Sequence, residues 1–211
     1  MAPFCFYIDP IKNCYFMKAK SMKIIFTFLL LVPLFVKAQT EAAPEVLIQN
    51  IFSLAQKENP LNNPKTKSEL DSHFDFKQMS MNILGSEANK RSAADLKWFE
   101  DSIKEIITKT VYPKAPEFLQ GVKITYKSTL VDGNKATVPS TVAKKGEKTD
   151  VSYQLIKSGS NWKVIDVSID DESWVKTIND KMTKTLKEKG WVGVKDMINK
   201  RVKALNEKKK S

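Results

Sequence analysis

The chain is predicted to form an α+β domain: helices, then a four-stranded antiparallel sheet wrapped by them, then two closing helices. Three observations predict it. Apolar residues recur at helical spacing up to Tyr112, alternate every second residue from Gly121 to Ile169, and return to helical spacing from Trp174. One apolar stripe of period 3.6 marks an amphipathic helix, and period 2 marks a half-buried strand. The alternating runs are separated only by short turn segments at Asp132-Gly133, Lys144 to Lys148 and Ser158 to Asn161. Short links pair consecutive strands as a meander.

Ahead of the domain stands a secretion leader. Lys18, Lys20 and Lys23 precede the apolar run Ile24 to Val36, and Val36 and Ala38 place small residues at −3 and −1 of a cleavage site. The run is shorter than the roughly 20 residues that span a bilayer. Cleavage is expected between Ala38 and Gln39, the first 16 residues being an upstream extension if translation starts at Met17 or Met22 rather than Met1. Residues 39–211 are then one domain, long enough for a core of its own. Both cysteines, Cys5 and Cys14, fall in the leader, so disulfides and thiol chemistry are excluded from the domain. An exported chain without cysteine suits the periplasm. The leader holds five of the 35 Lys and Arg and one of the 24 Asp and Glu, so a net charge of +11 falls to about +7.

The first helix runs from Pro44 to Gln56, with Leu47, Ile48, Ile51, Phe52 and Leu54 apolar. Residues 59–67 carry two Asn-Pro steps and read as a loop. A short helix follows around Ser68 to Ser72, and another from Phe76 to Leu84 that stops at Gly85. Ala93 to Tyr112 is the strongest helix: Ser92 and Asp95 form its capping signature, and Leu96, Phe99, Ile103, Ile106, Ile107 and Val111 its stripe. Strands are expected at Val122 to Tyr126, Ala136 to Val142, Val151 to Leu155 and Trp162 to Ile169. Helices from Trp174 to Lys189 and Trp191 to Leu205 meet at Gly190.

Catalytic signals are few. The only histidine is His73, and the chain has no HExxH helix motif, no nucleophile elbow and no phosphate loop. The acidic triplet Asp170, Asp171 and Glu172 precedes a helix, where negative charge favours the N-terminus. Lys is spread along the chain and Arg occurs only at Arg91 and Arg201. That distribution describes a solvated basic surface, not a nucleic-acid groove with interleaved aromatics. No cofactor or metal, no nucleic-acid partner, and a monomer are expected.

Several segments in this order resemble the MlaC family, also called toluene-tolerance auxiliary proteins of an ABC transporter. They are Phe74-Asp75-Phe76, Asn82-Ile83-Leu84-Gly85, the Leu96 to Tyr112 helix, and Asn161-Trp162-Lys163-Val164-Ile165-Asp166-Val167. Leu186 to Gly190, followed by Gly193 to Ile198, closes the series. The resemblance spans Pro44 to Leu205. It implies an NTF2-like or cystatin-like sheet with a cavity between sheet and helices. It also implies a soluble periplasmic carrier of phospholipid and no enzyme. Its partners would be an inner-membrane MlaD-like/ABC transporter complex and an outer-membrane lipoprotein complex. The acyl-chain lining is then expected from Ile124, Tyr126, Val138, Tyr153, Leu155 and Val167 of the sheet. From the helices it would take Phe76, Ile83, Phe99, Ile103, Ile106, Ile178, Met182 and Trp191. Asp166 and Trp162 are assigned structural roles, Asp166 fixing sheet to helix by a hydrogen bond. The chain departs from the family pattern at Asp171 and Glu172, which stand where Gly and Val or Ile are usual, and at Ile178, Asn179 and Met182. Two other readings stay open on sequence: an exported adaptor with a filled core, and an NTF2-like enzyme using Asp166 or His73 as a base.

Overall fold

A computed structural model describes residues 43–207; the leader and the last four residues lie outside it. Helix α1 (Pro44–Ala55) starts on Pro44, whose fixed φ suits a first helical turn, and buries Leu47 and Ile48. Where a loop is expected, the chain instead forms a 3-10 turn (Pro60–Asn62) and helix α2 (Pro64–Ser72). The two Asn-Pro steps are caps, not breaks. Asn59 Oδ1 accepts from the Leu61 N–H at 3.0 Å, and Asn63 Oδ1 from Lys65 and Thr66 at 3.1 and 3.2 Å. Asn at the cap with Pro following is a helix start.

Helix α3 (Phe76–Leu84) is capped by Asp75, which accepts from the Gln78 N–H at 2.8 Å, and ends at Gly85 with φ 55°. Helix α4 (Ala93–Val111) is capped by Ser92. A 3-10 turn and short helix α5 (Ala115–Leu119), which the sequence reading does not foresee, lead into the sheet.

The sheet has six strands, not four: β1 (Lys123–Tyr126), β2 (Leu130–Asp132), β3 (Lys135–Lys144), β4 (Glu147–Ser158), β5 (Asn161–Ile169) and β6 (Glu172–Ser173). All pairs are antiparallel in the order β1-β3-β4-β5-β6, with β2 sharing β1's edge of β3. The edge is split at Pro139. Its carbonyl accepts the Lys127 N–H at 2.9 Å, but proline has no N–H to return, so the ladder stops there and restarts as β2.

The last element is α6 (Trp174–Glu207), two helices meeting directly at Gly190, φ 61° and ψ −167°. The acidic triplet does not cap it. Asp170 and Asp171 take left-handed φ values of 47° and 66° in the β5–β6 turn. The caps are Asp166, which accepts the Val175 N–H at 3.0 Å, and Ser173, which accepts the Lys176 N–H at 3.0 Å. The Ser173 hydroxyl also donates to Asp166.

Apolar side chains gather in separate clusters. One joins α3, α4 and α6 around Phe99, Ile83, Met182 and Val194. Another joins α1 to the sheet around Ile48, Val138, Leu155 and Val164. A third lies around Leu70, Tyr112 and Leu119. Asp71 ties the third cluster to α4: it accepts from Lys67 at 2.6 Å and the Tyr112 hydroxyl at 3.0 Å, and pairs with Lys104 at 2.9 Å. Burial opposes ionisation of Asp71, but these donors outweigh it and hold its carboxyl below the ordinary value.

A depressed folded-state pKa contributes stability that is present above the unfolded value and lost as pH falls through the folded value. Stability of the native chain should therefore decline below about pH 4, and Asp71→Asn should make that decline shallower, as read by urea midpoints at stepped pH. Asp166→Ala should cost about 1–2 kcal/mol, and Asp166→Asn, which keeps one acceptor oxygen, should cost less.

Candidate apolar binding face

Strand register decides which side chains share the face of the sheet on which α1 packs. Val131, Ala136, Leu155 and Val164 form one row across β2, β3, β4 and β5. Val138, Tyr153 and Val167 form the next, and Tyr126, Ser140, Val151 and Ile169 the third. A bulge opposite Gln154 and Leu155 lets Val164 and Val167, three residues apart, point to the same face.

Helix α1 covers the middle of this face. Leu47 and Ile48 are buried against it, Ile51 and Phe52 pack beside them, and Phe52 meets Tyr153 edge-on at 5.9 Å. Coverage is partial at the third row. There Ser140 is buried, Tyr126 and Val151 are half-buried, and Ile169 is 54 % exposed. Nothing in this row carries charge. The Ser140 hydroxyl donates to the Val151 carbonyl at 3.1 Å. Burial, with the Glu45 carboxylate nearby, pushes the Tyr126 hydroxyl up to about 12, so it stays neutral. The arrangement can bury apolar groups along a partly covered sheet face. Asp166 is engaged as a helix cap. His73 uses its carbonyl to accept from the Val164 N–H at 2.9 Å, and burial lowers its imidazole pKa against the pull of Glu69.

The residues expected to line an acyl site fall into two groups. Val138, Tyr153 and Leu155 are buried under α1, with Tyr126 and Val167 packed at the margin of the same cluster. Ile124 is half-exposed on edge strand β1. Phe76, Ile83, Phe99, Ile103 and Met182 sit in the helical cluster, with Ile106, Ile178 and Trp191 at its margin. Apart from Ile124, the structure gathers the members of each set into a cluster of their own, one on the sheet and one among the helices. Phe74 is the side chain that packs against both clusters. Trp162 is buried on the sheet side. Sequence reasoning passed over Val151, Ile169, Phe74 and the α1 residues. Alternation pointed at Val151, and the 3.6 period at Leu47 and Ile48, but which residues share a row follows from register.

Comparison with known proteins adds three findings. The family model described as MlaC protein matches residues 46–200. No curated protein matches the chain. Among solved structures, a phospholipid-binding protein from Ralstonia solanacearum, in complex with a phospholipid, matches with a TM-score of 0.64 and 20 % identity. The match covers 77 % of this chain and 96 % of that one. At this identity the likeness bears on the fold.

Exposure sets the expected cost of substitution along the face. Ile169→Glu should change stability by less than about 0.5 kcal/mol, whereas Leu155→Ala should cost about 2–5 kcal/mol. Chemical denaturation of both variants checks the gradient.

Proposed function

This chain belongs to the MlaC family, whose model covers residues 46–200, and from that premise we propose that it is a soluble periplasmic phospholipid carrier. Family membership is the observation that carries the reading, and the open apolar face of the sheet supports it. The structural neighbour with a bound phospholipid is consistent with it. The leader sequence, ending at Ala38, supports export to the periplasm.

The physics is straightforward. Burying methylene groups gains roughly 0.8 kcal/mol each, so two acyl chains supply a gross driving force well above ~10 kcal/mol. Chains would enter at the partly covered row of Tyr126, Val151 and Ile169 and run inward past Val167 toward Phe74. Deeper insertion must part α1 or the helical cluster from the sheet, because the inner rows are already packed. The head group then stays at the solvent end. Release needs a partner that favours the emptied state, and we assign that role to membrane complexes: an ABC transporter assembly at the inner membrane and a lipoprotein assembly at the outer membrane. No catalytic step is invoked.

Native mass spectrometry of the chain purified from a periplasmic extract without detergent tests the reading. A stoichiometric mass that extracts as phospholipid is expected. A bare polypeptide mass that persists after incubation with phospholipid vesicles would overturn it. In the same measurement Ile169→Glu, whose fold should survive, should retain markedly less lipid than the native chain.

A further inference from the structure

Where α3 ends and the two halves of α6 meet, a cleft of about 670 Å³ lies between the 3-10 turn Gly85–Lys90 and the stretch of α6 from Asn179 to Trp191. Both walls turn on glycines in left-handed conformations, Gly85 and Gly190, which side-chain-bearing residues avoid. The Asn179 amide donates to the Ile83 carbonyl at 2.6 Å and ties the walls together.

The cleft is lined by Lys90, Arg91 and Lys187 against one carboxylate, Glu87. Glu87 already shows what the basic groups can hold. Lys90 reaches it at 2.6 Å and Arg91 Nη2 at 2.9 Å, and these bonds, Lys90's foremost, keep its carboxyl below the usual range. The Arg91 guanidinium lies 4.5 Å from the centroid of the Trp191 ring, and the Trp191 indole N–H donates to Asp95 at 3.3 Å. Stacking in this way leaves the N–H edge of the fork, not its face, for hydrogen bonding. One donor on that edge is unused: Arg91 Nε is shut off from solvent and has no acceptor. Buried donors are ordinarily satisfied. The negative ends of α3 and of the first half of α6 explain why cations gather here. They do not explain a donor without an acceptor.

We propose that this cleft binds an oxyanion of the phosphate class. The anion takes the place of the Glu87 carboxylate on Arg91 Nη2 and Lys90 Nζ, with Lys187 supplying further charge. Three cations against one carboxylate leave an excess of two positive charges, enough for free phosphate or for the singly charged phosphodiester of a lipid. The anion could arrive as free phosphate or as the phosphate of a lipid head group, and the same site chemistry serves both. The site stands apart from the apolar face and does not depend on the function proposed for it.

The test follows the Arg91 Nε–H and Trp191 indole N–H resonances of the chain purified from cells expressing the full sequence. It is titrated with inorganic phosphate, with short-chain phosphatidylglycerol below its micelle concentration, and with sodium chloride at matched ionic strength. Saturable shifts centred on these two groups are expected with phosphate, with the lipid, or with both, and not with chloride. Phosphate alone identifies a free-ion site, and lipid alone a head-group site. Arg91→Lys and Lys187→Gln should each weaken binding roughly tenfold, and Glu87→Gln should strengthen it. Lys187→Gln, a surface change, keeps the test clear of misfolding. Absence of saturable shifts with either phosphate compound, equal shifts with chloride, or unchanged affinity in both weakening variants would overturn the proposal.

Discussion

Val164 exchanges two backbone hydrogen bonds with the chain on either side of Phe74: its N–H donates to the His73 carbonyl at 2.9 Å and its carbonyl accepts the Asp75 N–H at 3.0 Å. This isolated parallel bridge is where helices and sheet are stitched together. It puts Phe74 between the two large clusters and sets the start of α3, whose cap, Asp75, is the next residue. Two residues beyond Val164, Asp166 makes the second stitch by capping α6. One strand, β5, therefore positions both walls of the helical cluster. Buried backbone groups must be paired, so the junction leaves the sheet and the helical body little freedom at this point.

The consequence for function lies in what the junction leaves uncovered. The bridge at Phe74 runs alongside β5, and α1 covers the middle of the sheet face. The row from Tyr126 to Ile169 is left partly covered, with Ile169 exposed. A strong basic excess coexists with this neutral face because the cations are occupied elsewhere. Lys104 lies over Phe76 and Lys195 over Trp98. Lys144 donates to the carbonyls of Glu117 and Phe118. Long lysine stems cover apolar surface while their ammonium groups reach solvent or an acceptor. Charge thus surrounds the apolar face without entering its rows.

Local chemistry made most elements legible. The helices starting at Pro44, Phe76 and Ala93 and the long strands of the sheet follow from periodicity, proline and serine starts and glycine stops. The misread stretch, residues 59–67, failed for a local reason too: Asn-Pro serves equally as a turn and as a cap with proline at the first helical position, and only the following residues' hydrogen bonds decide. The acidic triplet was ambiguous in the same way. Its position before a helix suggested a cap, but Ser173 and Asp166 had the better geometry, and the aspartates went into a left-handed turn.

The amino-acid sequence by itself determined the class of fold, the order of its long helices and strands, the apolar faces of most of them, and the resemblance that pointed to a family. Those properties depend on neighbours a few residues apart. Tertiary structure alone decided which apolar faces meet. It divided the expected lining into a sheet set and a helical set, shifted β5 by one residue at the bulge so that Ile169 lies on the same face as Val164 and Val167, and split an edge strand at Pro139. It also carried Arg91 onto Trp191, 100 residues away along the chain. Register shifts and long-range packing depend on pairings between distant segments, and periodicity along one segment carries no information about its partner.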